Sequence, residues 1–336
     1  MSNTPKVTIG VILFKGEKYL ELCLRSLLAQ DYPNIEFLFR DQSPNGEAYE
    51  YIQNYLPGIF HKVSIEKGGN LWHSGGHNEL IRKMTGDYYF CCSNDMLYPN
   101  DFVSKIVTEM EKPHHHHYGS ATCKLMQWDF ETAERGDIER SKTYVIDSFG
   151  IAITKGHQFF DIGQGEVNEH HYEGLKQVFG PSGALAVYRK KALEDIAYRA
   201  EGKKPEYFDS LLHYKNDVDL AYRLQWSGHP CLFIPETTVY HDRQVDKKTK
   251  KSTWVKGNSL FGHLVAVRKN YSKEYSLMVR VKTALLLLLR YIHTTVLNAE
   301  LLEQYDQVKK FMPEIKAKRA EIVKRVPPKK IEELMI

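Results

Sequence analysis

The 336-residue chain has few cysteines, no long apolar run and no strong excess of charge, and each deficit excludes a class of protein. Its five cysteines, Cys23, Cys91, Cys92, Cys123 and Cys231, include no Cys-x-x-Cys pair. A disulfide framework and a thiolate zinc site are therefore not expected, and a reducing compartment is. The longest purely aliphatic run, Ala284 to Leu289, is far too short for a bilayer span, and Met1 to Lys6 offers no apolar stretch for a signal peptide. The expectation is a cytoplasmic protein. With 46 Lys+Arg against 42 Asp+Glu the formal net charge is +4, too mild to indicate nucleic-acid binding. Disorder and collagen-like repetition are excluded by 42% hydrophobic and 26% charged residues.

What is present is alternation. Val7–Leu13 is a short β-rich run, and 17–29 follows with Tyr19, Leu20, Cys23, Leu24, Leu27 and Leu28 on one helical face. A turn at 31–34 leads to a second apolar strand, 35–40, ending at Asp41. A short helix over 48–55 and a third strand over 61–66 come next. A Gly-rich loop over 68–76 then precedes a helix around 78–84, and a fourth strand, 87–93, ends at Asn94-Asp95. Strand–helix–strand repetition predicts an α/β fold with a mostly parallel sheet flanked by helices. Asp41 and Asp95 then fall just past strand C-termini, on the sheet edge where ligands bind in such folds. Each alone is an ordinary turn or cap residue; the pairing on one edge supports a functional reading.

From Gly119 to Val178 the mixture of Gly, acidic and aromatic residues predicts loops with antiparallel strands, and His114–His117 reads as a solvated loop. Asn216 opens a helix as its N-cap, with Asp219 as the third-position acid and Gly228 as the C-cap. Cys231–Ile234 and 237–240 read as a strand and a near-strand split by Pro235, ending at His241. After about Val255 the composition becomes helical, which suggests a domain over 1–255 and a basic helical extension over 256–336. Positions 309–330 carry nine Lys/Arg against Glu314 and Glu321. Beside the Ala284–Leu289 helix they predict either a peripheral contact with an anionic membrane or a solvated helical cap.

Four motifs and a late histidine, in order, resemble the inverting, nucleotide-sugar-dependent glycosyltransferases of family 2, with the Rossmann-like GT-A fold. They are Val7 through Lys18-Tyr-Leu-Glu-Leu-Cys-Leu-Arg-Ser-Leu-Leu-Ala-Gln-Asp-Tyr-Pro-Asn-Ile35 to Asp41, Gly86 to Asp95, Phe179-Gly-Pro-Ser-Gly-Ala184 with Tyr188-Arg189, Asn216-Asp217-Val-Asp219-Leu, and Val239-Tyr-His241. The likeness spans about residues 7 to 245. The segment from Asp147-Ser-Phe-Gly150 to Arg189 is also similar to a bacterial rhamnosyltransferase-like subgroup that builds surface polysaccharides.

The resemblance implies transfer of a hexose or deoxyhexose from a dTDP-, UDP- or GDP-linked donor to a hydroxyl of a glycan or lipid-linked acceptor. Asp217 is implied as general base, and Asp95 and His241 as ligands of a divalent metal, Mg2+ or Mn2+, that neutralises the leaving diphosphate. An acidic residue at that helix start is also what the helix dipole favours. Asp41 would hold the base or ribose. Asn70, Gly75, Gly76, Asn78 and Asn94 would line the donor site, the glycines allowing backbone amides to approach. Gly183, Ala184 and Asp219 would lie on the acceptor side, with Asp219 equally a cap residue. Ile12, Lys15 and Asn45 depart from the family pattern, and Asn94-Asp95-Met96 holds a single carboxylate. A non-catalytic nucleotide-sugar-binding subunit and a sugar-nucleotide pyrophosphorylase are the alternative readings, the latter lacking a Gly-rich basic signature after the first strand.

Overall fold

The structure, a computed structural model, describes residues 4–55, 61–168, 172, 174–243 and 252–336. Its strands are β1 Val7–Leu13, β2 Ile35–Asp41, β3 Lys62–Lys67, β4 Tyr88–Cys92, β5 Met96–Leu97, β6 Ser120–Trp128, β7 Lys142–Ser148, β8 Ile151–Ile153, β9 Phe159–Asp161, β10 Gln177–Val178, β11 Leu185–Arg189 and β12 Cys231–His241. The helices through the sheet region are α1 Leu20–Leu28, α2 Glu47–Tyr55, α3 Trp72–Lys83, α4 Phe102–Met110, α5 Phe130–Glu134, α6 Ile138–Ser141, α7 Lys190–Ile196 and α8 Asn216–Ser227. The C-terminal helices are α9 Thr253–Asn270, α10 Leu277–Leu297, α11 Glu303–Lys310, α12 Met312–Ala320 and α13 Pro328–Glu333.

Ten strands form one mixed sheet ordered β10-β12-β6-β11-β4-β1-β2-β3, with β5 beside β12 and β7 beside β6. β3, β2, β1 and β4 run parallel, as the sequence predicts, and β6 and β12 are parallel to each other, while β11 runs antiparallel between β4 and β6. β1 and β2 are covered on both faces, hence their near-continuous apolar sequences. The register pairs Leu13 with Asp41 and Val11 with Cys92, so Asp41 and the residues after Cys92 lie on one sheet edge. The middle of the chain is more ordered than its composition suggests. β6 is a nine-residue strand deep in the sheet, its alternation masked because both of its faces are largely buried. Pro235 does not divide β12; the strand continues with a register shift between Ile234 and Thr238.

Glu36 is the polar exception in β2. Buried, it accepts hydrogen bonds from Thr8 Oγ1 (2.6 Å), Thr85 N (2.7 Å) and Thr85 Oγ1 (2.7 Å). Burial alone would raise its pKa, but these donors and Lys6 outweigh it and hold the carboxyl at about 2. A lowered native-state pKa stabilises fully above the unfolded value, and that stabilisation disappears as pH falls through the folded value. A Glu36→Gln variant is therefore expected to lose less stability relative to the natural chain as pH drops from 4.5 towards 2. Urea midpoints across that range check this; a difference independent of pH would exclude the charge as its source.

The C-terminal helices are joined to the sheet region by a buried ionic cluster. Lys269 on α9 contacts Asp209 and, at 2.8 Å, Asp219 on α8. Arg223 pairs with Asp219 at 3.0 Å, and Lys318 on α12 with Asp209 at 2.6 Å. This cluster fixes α8, the helix that carries Asp217.

Candidate active site

Asp217 sits in the first turn of α8, half-buried, on the wall of a cleft of about 550 Å³. Gly183, Ala184, Lys215, Asp161 and Arg243 share that wall. The helix begins one residue earlier than expected from an Asn216 cap: Lys215 takes the cap position in the left-handed region (φ 66°), and Asn216 is the first helical residue. Gly228 closes α8 in the same region (φ 85°), as expected of a C-cap. Tyr214 and Lys215 are pressed against α9 at Gly262, where a Cβ would stand 2.1 Å from the Tyr214 carbonyl oxygen. Strain of this kind persists only where the surroundings over-determine the backbone.

The Asp217 carboxylate is held by the backbone. Its Oδ2 accepts from Gly183 N (3.1 Å) and its Oδ1 from Val218 N (2.8 Å). Gly183 allows that approach: a Cβ there would stand 3.1 Å from Oδ2 and 3.3 Å from the Asp217 Cβ. The Gly183 carbonyl in turn lies 3.2 Å from His73 Nε2, while Asn216 Nδ2 donates to His73 Nδ1 (3.1 Å) and Ser74 Oγ (2.8 Å). Nδ1 is thus an acceptor, so the neutral tautomer with hydrogen on Nε2 donates to Gly183. Burial lowers the His73 pKa, consistent with that neutral form. The Gly183 peptide thereby links a half-buried imidazole to the carboxylate.

Asp95 and His241 converge on the same sheet edge. His241 Nε2 is 3.5 Å from Asp95 Oδ1, and its Nδ1 lies 2.8 Å from Asp147 Oδ2 at the end of β7. Arg243 bridges Asp147 (3.2 Å) and Asp161 (3.1 Å), and so connects this pair to the Asp217 cleft. Burial works against charge on His241, but its two carboxylates prevail and raise its pKa to about 9. One ring nitrogen fixed by a carboxylate with the other directed at a second carboxylate is the arrangement expected of a metal-ligating histidine. The two donors fit an oxygen- and imidazole-coordinated divalent cation.

Several sequence-predicted residues are used otherwise. Asn78 is buried, its Oδ1 accepting from Tyr207 N and Phe208 N (2.9 Å each) and its Nδ2 donating to the Phe208 carbonyl (2.8 Å). Its amide clamps a loop and leaves nothing for a donor. Asp219 is fully buried in the ionic cluster, away from any acceptor. Gly75 and Gly76 belong to α3, which starts at Trp72, so they do not form an open amide loop; Gly76 packs on Ile12 and Gly75 on Leu71. Asp41 is buried, accepting from Ser43 N (2.8 Å) and Tyr49 N (2.9 Å). Asn70 accepts from Trp72 N (2.8 Å) and lines a cavity of about 190 Å³ with Phe14, Gln42 and Ser93. Asn94 lies over Gly16, and Ala184 accepts from Ser93 Oγ (3.0 Å).

The site residues not found from sequence are Asp147, Asp161, Arg243 and His73. Position at a strand end was the available signal for Asp147. A further group of potential ligand atoms lies beside the cleft. His73, His77 and Cys91 place their donor atoms within 4.8 Å of one another, although no thiolate site was expected. Cys91 Sγ is 3.2 Å from His77 Nε2 and 3.7 Å from His73 Nε2. Both His73 nitrogens are already engaged and burial pushes the Cys91 thiol pKa up, so the three groups pack as a hydrogen-bonded cluster, separate from Asp95 and His241.

The profile described as "Glycosyl transferase family 2" matches residues 8–197. No curated protein sequence matches significantly. Among solved structures, the chain is similar to the mannosyltransferase PcManGT from Pyrobaculum calidifontis in complex with GDP-Man and Mn2+ (14% identity, 96% of this chain, 86% of that one, TM-score 0.53). It is also similar to S. aureus TarS 1-349 in complex with UDP-GlcNAc (13% identity, 95% and 88%, TM-score 0.54). For GalNAc-T7 with UDP, GalNAc and Mn2+ the match has 11% identity and a TM-score of 0.57, over 81% of this chain and 49% of that one. These likenesses establish a shared fold, and together with a profile match over more than half of the sequence they place this chain in glycosyl transferase family 2.

Proposed function

We propose that the protein is an inverting glycosyltransferase, moving a sugar from a nucleoside-diphosphate donor to a hydroxyl of a glycan or lipid-linked acceptor in surface polysaccharide synthesis. The observation that carries this reading is the Asp217 carboxylate, held by the Gly183 amide on a cleft wall that Arg243 joins to the Asp95–His241 pair. Asp217 takes the proton of the acceptor hydroxyl as its oxygen bonds to the anomeric carbon. The bond to the diphosphate breaks on the opposite face, its electron pair leaves with the phosphate, and the configuration inverts. Asp95 and His241 would hold a divalent cation, which supplies charge neutralisation for the leaving diphosphate. Asp147 keeps the His241 ring directed towards Asp95. The nucleotide is a dTDP, UDP or GDP, and the sugar a hexose or deoxyhexose such as rhamnose.

Thermal melting with UDP-, dTDP- and GDP-sugars, with and without Mn2+, tests the donor site. One nucleotide class should stabilise the protein, by about 2.7 kcal/mol at a hundred times its dissociation constant. The Mn2+ enhancement should need ~10- to 100-fold more metal in Asp147→Asn, because the ring that ligates it is no longer held by a carboxylate. Absence of any shift with all three classes would overturn the reading.

A further inference from the structure

Helix α10 presents a face that the rest of the described chain does not cover. Val279, Thr283 and Thr294 are buried against the protein, but Val281 (56%), Leu285 (51%), Leu288 (55%) and Ile292 (48%) remain about half exposed. Their spacing of four, three and four residues puts them on one stripe along the helix. Leu277, Met278, Leu289 and Val296 extend it. A continuous apolar surface of this size on a folded protein marks an interaction site. At 21 residues α10 is about 31 Å long, yet among the described residues no helix is long and apolar enough to cross a membrane.

Charge identifies the partner. Between Ser276 and Asn298 there is no acidic residue, while Arg280 and Lys282 are exposed on the helix and Arg290 lines the groove beside it. In the basic stretch over 309–330, the expected source of membrane contact, Lys318 and Arg319 are held by the protein and the other seven cations are exposed on its surface. Lys318 is buried on Asp209, Arg325 pairs with Asp195 (2.6 Å), and Arg319 donates to the Lys269 and Tyr271 carbonyls. Two copies packed stripe to stripe would bring like cations together, whereas a negatively charged lipid surface meets both the apolar and the cationic groups.

A groove of about 560 Å³ separates α9 from α10, lined by Leu260, Leu286 and Leu289 together with Lys256, Arg290 and His293. Val255 and Ser259 on α9 line both this groove and the Asp217 cleft. The uncovered face and the candidate base are therefore connected along one surface.

We infer that α10 lies in the interfacial plane of an anionic bilayer, its apolar stripe inserted and its cations at the phosphates, with the α9–α10 groove open to the phosphate-bearing end of a lipid-linked acceptor. The use of the groove rests on the glycosyltransferase reading; the docking of α10 does not. Co-flotation of the full chain with 1:1 phosphatidylcholine/phosphatidylglycerol vesicles, against pure phosphatidylcholine, is the test. Binding to the anionic vesicles is expected, and a Leu285→Glu/Leu288→Glu variant should bind at least ~10-fold more weakly with an unchanged melting temperature, both side chains being exposed. A Lys329→Glu/Lys330→Glu variant should still float. Failure of the natural chain to float on anionic vesicles would overturn the inference. So would a dimer in light scattering that the Leu285/Leu288 variant turns into a monomer, because a second copy would then cover the face. Donor-induced melting shifts are read independently, so failure of docking and failure of catalysis are distinguishable.

Discussion

An Asp217→Asn variant is expected to lose ~10²- to 10⁴-fold in kcat, the range attributable to a general base, while its donor affinity stays within error of the natural chain. The reasoning is geometric. Both carboxylate oxygens of Asp217 accept backbone N–H groups, from Gly183 and Val218, so the group is positioned by the main chain. An amide of the same shape keeps one of those acceptors but cannot take the acceptor's proton. It also turns an NH2 towards a backbone donor, at a stability cost of about 1 to 3 kcal/mol. Donor affinity by calorimetry and transfer by product formation separate the two effects. Undiminished transfer in Asp217→Asn would remove this residue as the base, and the non-catalytic reading would gain if the natural chain bound donor and never transferred it.

Replacing Lys269 by Met is expected to cost about 3 to 5 kcal/mol of unfolding free energy. Lys269 is fully buried between Asp209 and Asp219, and Asp219 also holds Arg223 at 3.0 Å. Its pKa is raised: burial disfavours the charged ammonium, but the two aspartates more than compensate. Removing the cation leaves their carboxylates under-compensated in a site without water access. Guanidinium unfolding should show the loss, whereas disrupting the exposed Arg25–Glu21 pair should leave the midpoint nearly in place. Equal effects of the two substitutions would mean that the cluster does not anchor α8. Because α8 carries Asp217, partial activity loss in Lys269→Met should accompany the stability loss.

The order of strands and helices in the first hundred residues was legible because each element bears its own local pattern. β1 and β2 are apolar runs bounded by turns, and α1 has a one-sided stripe that is buried at Leu20, Cys23, Leu24 and Leu27. Boundaries were less legible where composition misleads. The glycines at 75 and 76 suggested a loop, yet α3 starts at Trp72, because close packing on Ile12 and Leu71 favours small residues within that helix. β6 was obscured by burial on both faces, which removes the alternation of a half-exposed strand.

Sequence by itself determined the α/β class, the family likeness, and the order in which Asp95, Asp217 and His241 follow one another. Tertiary structure alone decided what each polar side chain faces. Asp217 and Asp219 are two residues apart on one helix, which sends them to different sides: one to the cleft, the other into a buried ionic cluster. Asp147 reaches His241 across 94 positions, and His73 reaches Gly183 across 110. The uncovered stripe on α10 is likewise a property of packing, since a row of leucines reads the same whether the protein covers it or not. Local pattern encodes which elements form; the side on which a charge or an apolar face ends up depends on contacts between residues far apart in the chain.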